Sequence, residues 1–292
     1  DFYLVTDSKL NNLPKNVYQI NLSFDEFRCL AEKKLGRKVR IDAPYKLCDY
    51  KPMFGVILED YLHGYDYWAN CDMDMLFGDL RTFFNRYKLS NYDRFLHLGH
   101  LSLYRNTDKC NQYFKLPGSN CGSWEQVVST PKNCLFDEWS GVYGIFHKNN
   151  LPMFEERIFA DISMIYNRFR LALDDPNYDQ QVFYWEDGHV YRSYWMNGVE
   201  KREEFIYIHF KKRHFDRETF DASTVKAFFV GPNGFTLKTG PVKIEDVEYI
   251  NPFYGEAYER KELKETERKE KMQWWKLLGV LFGAIGVVLL SI

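Results

Sequence analysis

Apolar residues recur along this chain with two periods, and the change from one to the other outlines its elements. Phe2 to Thr6, FYLVT, is a continuous apolar run closing at Asp7, and Val17 to Leu22 is a second; both predict buried strands of one sheet. Ser23 and Glu26 then have capping-box spacing. Phe24, Phe27, Leu30, Ala31 and Leu35 fall on one helical face, and Gly36 supplies the stop, so a helix is predicted between them. A second helix is predicted from Pro52 at its first position, through Phe54, Ile57, Leu58, Tyr61 and Leu62, to Gly64. It leads into Tyr65 to Leu80, YDYWANCDMDMLFGDL, an aromatic strand-like run that stops at Asp72 and Asp74.

Short alternating runs at Asp93 to Gly99 and Leu101 to Tyr104 predict further strands, Asn106 to Phe114 a helix, and the Gly-, Ser-, Asn- and Pro-rich residues 117 to 134 a surface loop. Residues 152 to 172 predict an amphipathic helix on Met153, Ile158, Phe159, Ile162, Ile165, Phe169 and Leu171. From Gln181 to Phe210, Asp187-Gly188 and Asn197-Gly198 mark two tight hairpin turns, which predicts a three-stranded meander ending in Ile208-His209-Phe210.

The tail differs in kind. Glu259 to Lys271 alternates acid and base with almost no apolar face, as a solvated linker does, and Leu277 to Ile292 carries no charge. As a helix that last stretch reaches about 24 Å against a hydrocarbon core of about 30 Å, extended by Trp274, Trp275 and a snorkelling Lys276. The division expected is a catalytic domain over 1–255, a charged linker over 256–273 and an apolar membrane-anchor helix over 274–292. Cations precede the apolar stretch and none follow it, which places the main domain on the cytoplasmic face; the competing reading is a helix lying in the interface or docked on a protein.

A net charge of -2 leaves no basic field of the kind nucleic-acid binding needs, so nucleic acid is set aside. Aromatic residues make up 18% of the chain; flat rings with polar edges suit sugar faces and also fill cores. Six cysteines lack any C-x-x-C spacing, so buried reduced thiols are expected rather than zinc or a redox pair.

Candidate chemistry gathers at four places. In an extended segment Asp72 and Asp74 point the same way and Met73 points to packing, so the two carboxylates call for a cation between them, and oxygen ligands suit Mg²⁺ or Mn²⁺ with positions left for phosphates. Lys46, Asp49 and Lys51 crowd the start of the second helix, either as an anion site or as surface lysines with a capping aspartate. Asp137 and Glu138 lie beside Trp139, where an aromatic wall raises a carboxyl pKa toward that of a general base; a helix N-terminal acidic pair is the plain alternative. His209, followed by Lys211, Lys212 and Arg213, offers an imidazole ligand for the same metal and a basic cluster for a departing diphosphate.

Five stretches in order, YKLCDYKP, YDYWANCDMDMLFGDL, GHLSLYRN, FDEW and YIHFKKR, resemble a family of bacterial glycosyltransferase-like proteins from capsule and lipopolysaccharide gene clusters. The resemblance implies a GT-A-like α/β fold: one domain with a mixed central sheet flanked by helices, a C-terminal β-meander and the apolar tail helix. It implies a nucleotide-sugar donor, most commonly a UDP-sugar, held through Mn²⁺ or Mg²⁺ by Asp72 and Asp74 with His209 as third ligand. Lys46, Asp49 and Lys51 would meet the donor; Lys211, Lys212 and Arg213 would neutralise the diphosphate. Asp137 or Glu138 would face the hydroxyl of a surface-polysaccharide or lipid-linked acceptor. At Cys48-Asp49-Tyr50-Lys51 the arginine of the related S-D-x-x-R segment is missing. Relatives of this type open with one more strand, so the sheet is expected to have an unfilled place beside Phe2 to Thr6. A non-catalytic carbohydrate-binding or scaffold protein is the alternative function. A haloacid-dehalogenase-like phosphatase is disfavoured because Met75 and Leu76 follow Asp74 without that motif's hydroxyl.

Overall fold

The computed structural model describes residues 1–164, 166–172, 175–211, 213, 215, 224–255 and 285–290. The chain is mixed α/β, and where one domain was expected it divides into two compact units. The first comprises Asp1–Met73, Lys88–Glu156 and Leu277–Ile292; the second comprises Asp74–Tyr87 and Arg157–Lys276.

The first unit is built on a seven-stranded sheet in the order Val17–Asn21, Phe2–Thr6, Ile285–Leu290, Tyr67–Cys71, Leu101–Arg105, Arg94–Phe95, Met153–Phe154. The two N-terminal strands pair in parallel, with Phe2 opposite Val17 and Thr6 opposite Asn21. The helix Phe24–Leu35 forms as its sequence requires: Ser23 accepts from the Glu26 N–H, Glu26 answers to the Ser23 N–H, and Gly36 closes the helix at φ 69°. It buries Phe27, Ala31 and Leu35 in a core shared with Phe54, Ile57, Trp68 and Phe146. Tyr67–Cys71 is buried along its whole length, so Asp72 sits at the end of a central strand, where ligands of open α/β sheets collect.

Several expectations change here. In place of the helix opening at Pro52, a 3₁₀ segment runs from Pro44 to Met53, followed by one α-turn, Phe54–Ile57, and another 3₁₀ turn, Glu59–Tyr61. Pro52, lacking an N–H, lies inside the first segment, whose buried residues include Lys46, Asp49 and Lys51. The loop of 117–134 contains a capped helix, Trp124–Ser129, with Val127 and Val128 fully buried.

The largest change concerns the tail. Ile285–Leu290 is a strand rather than part of an apolar helix, and it occupies the place expected to stand unfilled beside Phe2–Thr6. It runs antiparallel to both neighbours, with Val288 opposite Phe2 and Ile285 opposite Val5 on one side, and Leu290 opposite Tyr67 and Gly286 opposite Cys71 on the other. A short apolar run rich in Ile and Val satisfies a buried strand as well as a helix, and two open strand edges decide between them. No helix among the described residues is long and apolar enough to cross a membrane. The rest of the expected anchor, 274–284 and 291–292, and the linker 256–273 lie outside the described residues.

The second unit holds a five-stranded sheet, in the order Val199–Phe205, His189–Met196, Gln181–Glu186, Ala227–Gly231, Gly234–Leu237. Its turns are those the dipeptides dictate: Asp187 and Gly188 at φ 48° and 90°, Asn197 and Gly198 at 53° and 74°. The third strand of the meander ends at Phe205; Tyr207–His209 instead joins Met75–Phe77 and Ala160–Asp161 in a separate three-stranded sheet. The helix expected over 152–172 does not form. In the second unit's part of that stretch, the backbone of Phe169 is bonded by the side chain of Asn251, which accepts from its N–H at 2.7 Å and donates to its carbonyl at 3.0 Å. A long-range amide thus supplies both bonds a helix would have given.

Candidate functional site

In the first unit, two carboxylates and one lysine meet at the end of the central strand. Lys51 Nζ donates to Asp72 Oδ1 at 2.6 Å and to the Gly99 carbonyl at 2.9 Å, and lies 3.2 Å from Asp137 Oδ2. Asn70, also on that strand, donates to the same carbonyl at 2.8 Å. Burial alone would lower the Lys51 pKa; Asp137 and then Asp72 outweigh it and hold the ammonium well above its usual value. Gly99 packs closely against both carboxyl groups. A Cβ there would strike Asp137 Oδ2 and come within 2.9 Å of Glu138 Oε1.

Asp137 is buried, its pKa is raised chiefly by that burial against the pull of Lys51, and its Oδ1 has no hydrogen-bond partner among the described residues. Glu138 is pushed up to about 7, first by burial and then by the charge of Asp137, with Lys51 and the Gly99 backbone opposing.

Lys46 and Asp49, expected at the donor, are bonded to each other and to the backbone. Lys46, 1% exposed, donates to Asp49 at 2.7 Å and to the carbonyls of Val127 and Lys132 at 2.8 and 2.7 Å. Asp49 accepts from the N–H groups of Cys134 and Phe136. Their polar atoms are engaged in bracing the segment that carries Asp137 and Glu138.

Asp72 follows the central strand directly and Asp74 lies in the bend after it, while Met73 between them is 57% exposed instead of packed. The division between units falls directly after Met73. Asp72 remains on Lys51 in the first unit, while Asp74 begins the second.

In the second unit the three-stranded sheet sets His209 opposite Asp161 on one side and opposite Met75 on the other, and Phe210 N–H bonds the Asp74 carbonyl at 2.9 Å. His209 Nδ1 is 2.9 Å from Asp161 Oδ1, and its Nε2 is 3.6 Å from Asp74 Oδ1. Burial lowers the His209 pKa, but Asp161 and Asp74 outweigh it and carry it to about 9. Asp161 also takes Lys211 Nζ at 2.6 Å. A separation of 3.6 Å is long for a hydrogen bond but suits two ligands of one cation, each at about 2.1 Å. A carboxylate fixing the far nitrogen of an imidazole ligand is the usual second support of a metal site, so these residues fit a divalent cation.

Arg213, expected at the diphosphate, has its guanidinium on the carbonyls of Ser163, Tyr166 and Asn167 and against the Phe169 ring. Lys212 lies outside the described residues. Asp161 was not singled out from sequence, being hidden in the apolar run assigned to a helix; the alternation Ala160-Asp161-Ile162 was its only local signal.

All six cysteines are free, but where buried thiols were expected only Cys71 and Cys110 are buried, Cys29 being exposed. No curated protein and no solved structure matches the chain. Residues 1–239 match the profile of a family of unknown function, DUF6625, and the chain belongs to that family.

Proposed function

We propose that the chain is a metal-dependent glycosyltransferase that moves a sugar from a nucleotide-sugar donor to a hydroxyl of a surface-polysaccharide or lipid-linked glycan precursor. The observation that carries this reading is Glu138, a carboxyl held near pKa 7 beside a second buried carboxylate, Asp137. A base poised near neutrality suits deprotonation of a sugar hydroxyl. In that step the acceptor oxygen bonds to the donor's anomeric carbon, the bond from that carbon to the diphosphate breaks with its electron pair on phosphate, and the hydroxyl proton passes to Glu138. This is single displacement with inversion.

Lys51 lies 3.2 Å from Asp137 and opposes the rise in its pKa, while Lys46 and Asp49 hold the segment in place. Asp74 and His209 would hold Mn²⁺ or Mg²⁺ in the second unit, with Asp161 fixing the imidazole. A cation there supplies charge neutralisation for diphosphate oxygens. The donor base is taken as uridine, the commonest choice, and attachment to a membrane is the expectation drawn from the uncharged stretch 277–292.

The test is titration calorimetry of the full chain with UDP, GDP, CMP and dTDP, each with and without Mn²⁺, beside Asp74→Asn. Binding that needs both metal and Asp74, followed by donor hydrolysis that falls at least a hundredfold in Glu138→Gln, supports the transferase. Absence of binding to every nucleotide by folded protein refutes it and leaves the non-catalytic saccharide-binding alternative.

A further inference from the structure

Immediately after Glu138 the chain exposes an indole. Trp139 is 43% exposed although Phe136 and Asp137, three and two residues before it, are buried. A single exposed aromatic is ordinary on a protein surface. This one is held in place. Its ring meets His97 at 4.8 Å between centroids and 60° between planes, and Tyr143 at 4.4 Å and 64°. Tyr143 in turn lies 4.3 Å from His147, and both are tied to one carboxylate oxygen: Tyr143 Oη donates to Glu155 Oε2 at 2.9 Å and His147 Nε2 lies 3.1 Å from it.

The turn beneath the indole is equally constrained. Val142 N–H bonds the Phe136 carbonyl at 2.7 Å, and a Cβ on Gly141 would collide with that carbonyl, so only glycine closes the loop. Every residue of this cluster belongs to the first unit.

We infer that Trp139, buttressed by Tyr143 and His97, is a stacking platform for a pyranose ring, and that the ring it takes is the acceptor's, with a hydroxyl directed at Glu138. The ring face of an indole is electron-rich, and the C–H groups on one face of a pyranose are its electropositive, apolar side. Aromatic side chains already fixed by their neighbours lose little entropy on binding. The position supplies the rest: the platform is the next residue in the chain after the base. Naming the ring as the acceptor rests on the transferase reading; saccharide binding at Trp139 does not.

The experiment is saturation-transfer NMR on the full chain with methyl β-D-glucopyranoside, methyl β-D-galactopyranoside, cellobiose, maltose and lactose, using wild type, Trp139→Ala and Trp139→Phe. The expected result is transfer to the ring protons of at least one saccharide, falling at least fivefold in Trp139→Ala and largely kept in Trp139→Phe. Absence of transfer to all five, or transfer undiminished in Trp139→Ala, overturns the inference. The nucleotide titration on the same samples separates the two claims. Nucleotide binding without saccharide transfer removes the platform alone, and Trp139-dependent transfer without nucleotide binding removes the transferase alone.

Discussion

Asp49 Oδ1 accepts the backbone N–H of Phe136 at 2.9 Å, joining residues 87 positions apart in the chain. The same carboxylate holds Cys134 N–H and Lys46 Nζ, so one buried ion pair fixes the segment from which Asp137 and Glu138 project. Removing one partner of such a pair leaves the other charged and unpaired, at about 3–5 kcal/mol. Asp49→Ala is therefore expected to lose that much in urea unfolding. Asp49→Asn, which keeps an oxygen for the two N–H groups, is expected to lose clearly less. Equal losses in both would show that the bracing is not what Asp49 contributes.

Glu138 gives stability a pH dependence whose sign follows from its raised pKa. Below about 4.5 the carboxyl is protonated in folded and unfolded chains alike and its contribution is fully present; as pH rises toward about 7 only the unfolded chain ionises, so the folded state loses ground. The loss across that window is about 3 kcal/mol, and it is complete once the folded carboxyl ionises. Glu138→Gln removes the titration. Urea unfolding of wild type and variant from pH 4.5 to 8 is expected to show the variant's stability rising relative to wild type over that range; parallel curves would mean the Glu138 pKa is ordinary.

What the sequence disclosed depended on how local the causes were. The Ser23–Glu26 cap, Gly36 and the two glycine turns of the meander are set by neighbours within a few residues, and each formed where it was read. Asp137 and Glu138 stood out as acids beside an indole, but the burial that raises them is set by the fold, and the Lys51 and Gly99 that oppose it are distant in the chain. Lys46 and Asp49 were noticed for their charge, and only the fold shows that charge turned inward. Asp161 and the strand Ile285–Leu290 were missed for a common reason: a short apolar stretch has no period that separates strand from helix until its partner strands are known.

Asp161 should act through His209 rather than alone. With Nδ1 held at 2.9 Å, the imidazole presents Nε2 toward Asp74. Losing a carboxylate that orients a ligating histidine weakens metal affinity about 10- to 100-fold. Mn²⁺ binding followed by electron paramagnetic resonance is expected to weaken by that factor in Asp161→Asn and to be lost in the His209→Gln, Asp74→Asn double variant. Unchanged affinity in both variants would place any bound ion elsewhere.

The C-terminal strand makes the last expectation the most direct. Ile285–Leu290 lies between Phe2–Thr6 and Tyr67–Cys71, and Leu290 also accepts the Asp66 N–H at 3.0 Å. Withdrawing it would leave two unpaired strand edges in the middle of a sheet, next to the strand that ends at Asp72, an arrangement prone to aggregation. Ending the chain after residue 276 is therefore expected to destabilise the first unit and promote aggregation. In the full chain, hydrogen exchange read by mass spectrometry is expected to protect the peptide spanning 285–290 as strongly as the one spanning 67–71. Rapid exchange at 285–290 with intact protection at 67–71 would show that the sheet does not depend on this strand.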